Sequence, residues 1–192
     1  MKLDGLKVAV LVTDGYEPSE LTEPTRALRE AGARVTIVSD HDGTIRGKTD
    51  ADTAPVDMTL DAASPDDFDA LLLPGGVKNP DTMRQNERGV AFVRTIAESG
   101  KPIAAICHAP WLLVEADVVS GRRMTSYPSL KTDLRNAGAD WVDQEVVVDQ
   151  GIVTSRSPKD LPAFNAKMIE EFAEGAHPRR SVAGAAAGQT PS

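Results

Sequence analysis

The chain has 192 residues, of which 41% are hydrophobic, 26% charged and 4% aromatic, and its formal charge is −8. That length suits one well-buried core and is too short for two full domains, and the acidic balance excludes a phosphate-backbone partner, which needs clustered Lys and Arg. The single cysteine excludes an internal disulfide and sets a reducing, cytoplasmic location as the expectation; no apolar run approaches the roughly 20 residues of a membrane span, and no charged-then-apolar leader precedes the first strand.

In chain order, Lys7 to Thr13 (K-V-A-V-L-V-T) is a continuous apolar run of the kind a parallel sheet buries on both faces. Asp14-Gly15-Tyr16-Glu17-Pro18 breaks it, and Ser19 is placed to cap a helix running through Leu21 and Leu28 to Gly32, with Pro24 early in it. Arg34 to Ser39 is a second strand, so the chain opens as a βαβ unit with parallel pairing. His41 to Lys48 carries turn chemistry, and the stretch to Asp61 reads as irregular with short strands. Ser64-Pro65 opens a short helix, and Ala70 to Pro74 (A-L-L-L-P) is a third buried strand ending in Gly75-Gly76. A loop rich in Asn, Pro and Asp leads to a helix from about Glu87 to Ser99.

Next comes P-I-A-A-I-C-H-A-P-W-L-L over Pro102 to Leu113. The apolar run reads as a buried strand, and Pro110 fits the first turn of a helix ending near Gly121. Cys107 then sits on the strand-to-helix bend, beside free backbone N–H groups and a helix N-terminus, a setting expected to lower a thiol pKa below about 8.5. Met124 to Tyr127 is a short strand and Ser129 to Ala137 a helix. Trp141 to Val148 and Ile152 to Ser155 form a hairpin across Asp149-Gln150-Gly151. Ser157-Pro158 opens a last helix with Leu161, Phe164, Met168, Ile169 and Phe172 on one face. From Gly175 the composition turns to Ala, Gly, Ser and Pro, so residues 1–174 are read as one α/β domain and 175–192 as a loose tail without function. The alternation predicts a doubly wound three-layer sandwich around a mostly parallel sheet.

In such a sheet, sites form beyond the carboxyl ends of the strands. There the topology gathers Glu17 and Glu20, Gly75-Gly76, and Cys107-His108: acids, unhindered N–H groups and a nucleophile. Of the three histidines, His41 lies beyond the second strand and His177 in the tail, which leaves His108 as the imidazole for Cys107. Adjacent residues point different ways, so the residues leave open whether His108 acts as base or only flanks the thiol. Gly75-Gly76 fits a tight turn as well as an oxyanion cradle. Glu20 fits a solvated helix-start acid as well as a partner of Cys107, and Asp81 reads as a solvated or capping aspartate unless it orients His108. There is no Walker loop, no GxGxxG after the first strand, no HExxH and no cysteine–histidine set for zinc, so neither a cofactor nor a metal is expected.

From about Lys7 to Phe172 the chain resembles the PfpI/ThiJ superfamily of intracellular proteases, general stress proteins and protein deglycases. The resemblance rests on D-G-Y-E-P-S-E-L-T-E-P, F-D-A-L-L-L-P-G-G, K-P-I-A-A-I-C-H-A-P, T-S-Y-P-S-L-K, and E-V-V-V-D followed by I-V-T-S-R-S-P. It implies a flavodoxin-like sandwich and a homodimer or higher oligomer. Cys107 would be the nucleophile, and Glu20 would hydrogen-bond its sulfur. Gly76 and the His108 N–H would form the oxyanion hole, with Tyr127 near the site. It also implies an acid from the neighbouring subunit orienting His108; Asp81 matches, although it is aspartate where that branch has glutamate, in a slightly longer loop. The implied activity is cysteine-dependent chemistry on small carbonyl compounds or glycated substrates, as a glyoxalase III-like enzyme or deglycase. The alternatives are a PfpI-type peptidase and a redox-sensing chaperone without turnover. Class I glutamine amidotransferases share the cysteine elbow, but Ser155-Arg156-Ser157 stands where they need a histidine–glutamate pair.

Overall fold

Strand Ala70–Leu73 shows why the molecule layers as it does. Its side chains alternate across the sheet, Leu71 and Leu73 to one face and Ala70 and Leu72 to the other, and all four are buried. A strand apolar on both sides needs cover on both sides. The computed structural model describes residues 2–178. Its main sheet contains Lys7–Leu11 (β1), Arg34–Ser39 (β2), Met58–Thr59 (β5), Ala70–Leu73 (β6), Ile103–Ile106 (β7), Val147–Asp149 (β10) and Ile152–Ser155 (β11), in the order β10-β11-β7-β6-β1-β2-β5. Every pairing is parallel except the β10–β11 hairpin. Two small ribbons lie apart, Thr44–Arg46 (β3) with Thr53–Pro55 (β4), and Arg123–Met124 (β8) with Asp140–Trp141 (β9).

Helices Pro18–Glu30 (α1) and Leu161–Glu174 (α6) cover one face, with Leu21, Leu28, Phe164, Met168 and Phe172 packed on Val8, Val10, Leu72, Ala104 and Ile106. Helices Glu87–Glu98 (α3), Pro110–Glu115 (α4) and Lys131–Asn136 (α5) cover the other, with Val93, Ile96, Leu112 and Leu134 on Leu71, Leu73, Ile103 and Ala105. This is the flavodoxin-like three-layer sandwich expected from the sequence. Among the described residues no helix is long and apolar enough to cross a membrane.

Several local expectations are corrected. Helix α1 begins at Pro18, not after a Ser19 cap; Glu17 occupies the cap position with φ −76° and ψ 118° and no side-chain bond. The pre-proline restriction holds Glu17 extended, and Pro18 is pre-set for the first helical position. The segment read as a loop after Gly76 contains a helix, Lys78–Met83 (α2), in which Pro80 costs nothing because first-turn N–H groups have no intrahelical partner. Helix α4 stops at Glu115 rather than near Gly121, because Asp117 takes the left-handed conformation at φ 58° and Val118 N–H returns to Leu113 O. Trp141 pairs with Met124 in the β8–β9 ribbon, so the hairpin arm is only Val147–Asp149. The last helix is led in by a 3-10 turn at Pro158–Asp160. His177 is not loose: its N–H donates to Gly100 O at 2.8 Å. The rest of the predicted tail, 179–192, lies outside the described residues.

Candidate active site

The carboxyl ends of β1, β6 and β7 open into a cleft of about 910 Å³ that contains Glu17, Glu20, Gly76, Cys107, His108 and Tyr127 among its lining residues. Its mouth also carries Arg46, Lys48 and Lys78.

Cys107 follows β7 directly and has φ 65°, one of only three non-glycine residues with positive φ among those described. Such a conformation is strained for a residue with a Cβ and persists where its surroundings enforce it. Here the backbone is pinned on both sides: Cys107 N–H donates to Ser155 O at 3.0 Å, and its carbonyl accepts from Tyr127 N–H at 2.9 Å. The expected elbow is therefore present, with Pro110 at the first turn of α4.

The elbow brings His108 back onto the sulfur. Cys107 Sγ lies 3.1 Å from His108 Nδ1, so the geometric objection to neighbouring residues does not hold in this backbone conformation. His108 Nε2 lies 3.2 Å from Ser129 Oγ; the ring stacks on Tyr127 at 4.6 Å and meets the Trp111 edge at 5.1 Å. Burial lowers the His108 pKa below its ordinary value, which favours the neutral imidazole at pH 7.

Glu20, in the first turn of α1, is fully buried, and neither of its oxygens makes a hydrogen bond of normal geometry among the described residues. Burial raises its pKa to about 7; the Cys107 thiol and the Gly75 and Gly76 amides oppose that rise, and the charge of Glu17 adds to it. Cys107 is pushed up to about 12, first by burial and then by the negative charge of Glu20, while the Gly76 and His108 amides pull it down. The expected acidic thiol is thus corrected. The α4 dipole comes from only six residues, and it is outweighed by burial and a neighbouring carboxylate.

Gly75 can be nothing larger. A Cβ there would stand 2.6 Å from Ile106 O and 2.7 Å from Cys107 Cβ, and would also strike Glu20 Oε2. Gly76 has φ 81°, and its amide is among the groups that hold the Cys107 thiol pKa down. Glu17 stands at the mouth, 3.5 Å from Lys48 Nζ. Asp81 is separate: it is exposed on α2, and within this chain His108 meets Ser129 instead.

Sequence reasoning missed three supports. Asn79, 1% exposed, accepts from Thr13 N–H at 2.8 Å and donates to Pro74 O and Gly75 O, both at 3.0 Å, which fixes the glycine turn. Ser129 and Trp111 hold His108; Ser129 falls within T-S-Y-P-S-L-K and was legible there as a hydroxyl two residues beyond Tyr127.

Residues 6–171 match the DJ-1/PfpI family. Protein/nucleic acid deglycase 2 of Escherichia coli is 47% identical over 165 residues, spanning 85% of this chain and 95% of that protein. General stress protein 18 of Bacillus subtilis is 46% identical over 167 residues, spanning 86% of this chain and 96% of its own length. Among solved structures, Drosophila melanogaster DJ-1beta superposes with a TM-score of 0.82 at 32% identity, covering 88% of this chain and 91% of that one.

Proposed function

The chain belongs to the DJ-1/PfpI family, and on that premise we propose that it is a cysteine-dependent enzyme acting on α-oxoaldehydes and their adducts with amines. The observation that carries this reading is the Cys107 elbow, a buried sulfur placed among Glu20, His108 Nδ1 at 3.1 Å and the Gly76 and His108 amides.

The chemistry follows from that placement. Ionised Glu20 takes the thiol proton as Sγ attacks the aldehyde carbon, giving a hemithioacetal whose oxygen lies at the Gly76 and His108 N–H groups. His108, neutral because it is buried, removes the proton on the former aldehyde carbon and returns one to the adjacent carbonyl carbon. The product is a thioester. Water hydrolyses it to a 2-hydroxy acid and restores the thiol, so methylglyoxal plus water gives lactate. On a hemiaminal adduct the sulfur displaces the amine, which leaves with the thiol proton relayed by Glu20, and the same hemithioacetal forms. Peptide hydrolysis would instead form a peptide acyl thioester on the same sulfur, the amine of the cleaved bond leaving protonated and water freeing the acid, and redox sensing would oxidise that sulfur.

Homodimerisation, with Asp81 of the partner subunit beside His108, is part of this proposal; within this chain Asp81 is exposed on α2. The primary test is methylglyoxal consumption with lactate formation, comparing wild type with Cys107→Ser. Turnover by wild type that is lost in the variant supports the reading. Absence of turnover in wild type overturns it and directs the next assay to peptide hydrolysis and to peroxide oxidation followed by intact mass.

A further inference from the structure

At the opposite end of the sheet from Cys107, the chain leaving α6 folds back on the strand starts. Gly175 turns it at φ 80°, and His177 N–H donates to Gly100 O, just before β7. The His177 ring sits over Gly151, where a Cβ would stand 2.9 Å from its Cδ2. That seat brings the imidazole to two glutamates one turn apart on α6, Glu171 and Glu174.

The donor atoms of these three residues lie within 4.8 Å of one another. His177 Nε2 is 3.0 Å from Glu171 Oε2 and 3.9 Å from Glu174 Oε2. Glu171 is only 8% exposed, yet its Oε2 makes no hydrogen bond, and neither does the buried His177 Nε2. At 3.0 Å the pair is close enough for one, so the bond fails on direction. A buried carboxylate oxygen left this way costs free energy unless something else meets it.

We propose that Glu171, Glu174 and His177 form a binding site for a divalent transition metal of the zinc class. A tetrahedral ion with ligand bonds of about 2.0–2.2 Å separates its ligand atoms by about 3.3 Å, and the separations from Nε2 bracket that value. One imidazole and two carboxylates suit Zn²⁺ or Co²⁺ and leave a fourth position for water. The ion's two positive charges would balance the two carboxylates, one of them buried. The family match covers residues 6–171 and so ends before Glu174 and His177. The site ties the end of α6 to the turns before β7 and β11 and acts as a clamp remote from the thiol.

The test is calorimetric titration of the full chain with Zn²⁺, with Co²⁺ visible absorption as the second readout. The expected result is one ion per chain in wild type and in Cys107→Ser, weakened at least about tenfold in His177→Gln and in Glu174→Gln. Both of those side chains are partly or largely exposed, so their replacement leaves the fold intact. The absence of saturable binding, binding unchanged by His177→Gln, or binding lost in Cys107→Ser would each overturn the proposal; the last would put the ion at the thiol.

Discussion

Beside Cys107 there is room for one negative charge. Burial raises both acids, and whichever ionises first raises the other, so a single proton passes between sulfur and Glu20. Glu20 titrates near 7, and His108, shifted below its usual value, is already neutral there. Turnover should therefore rise through pH 7 as Glu20 ionises, and Glu20→Gln should remove that limb and lower kcat about 100-fold or more. The same residue sets a stability slope. Its folded pKa exceeds its unfolded one, so the stability it contributes is complete below about pH 4.5 and is lost as pH rises through about 7, a change on the order of 3 kcal/mol. Urea unfolding at pH 5 and pH 8 should show this loss in wild type and not in Glu20→Gln; equal slopes would remove Glu20 from the role. The gathering of Cys107, Glu20 and Gly75-Gly76 at one edge of the sheet was readable in the sequence because strand ends and breakers place them, whereas the residues left open whether Glu20 is solvated or buried against the sulfur. The thiol's acidity was not, since it depends on how deeply the elbow is buried and on which carboxylate faces it. The approach of His108 was hidden for a related reason: it follows from one backbone angle at Cys107.

At the scale of elements, α2 teaches the most. Its K-N-P-D-T-M composition reads as loop, because Asn, Pro and Asp usually break helices. They are tolerated here because all three lie in the first turn and because the Asn79 amide is used elsewhere, on Thr13, Pro74 and Gly75. The Gly75-Gly76 turn is thus braced from α2. Asn79→Ala would leave one buried N–H and two buried carbonyls without these bonds, at a cost of about 3 kcal/mol. It should also lower kcat more than it raises KM, because Gly76 would no longer be held. Unfolding and steady-state kinetics check both, and an unchanged kcat would separate α2 from the site. Asp117 is the mirror case. It ends α4 where glycine is the usual signal, so the helix end was invisible by composition.

The whole molecule was the most legible level, because β1, β6 and β7 are apolar on both faces and such strands fit only between two helical layers. Assembly is less so, since a contact between copies leaves no periodicity in the chain. With a charge of −8 the copies would repel one another at long range, so the proposed pairing would have to rest on short-range contacts. For the proposed dimer, sedimentation at micromolar concentration should give a dimer, and Asp81→Asn should lower turnover without dissociating it. A wild type that is monomeric and fully active would remove Asp81 from the mechanism.

The lone cysteine at the elbow also gives the protein a metrology of its own. Under denaturing conditions each intact chain offers one thiol and no other. A stoichiometric thiol count divided by total protein is therefore the fraction of chains with an unmodified nucleophile. Specific activities from different preparations can be placed on one scale by that count, without any assumption about substrate.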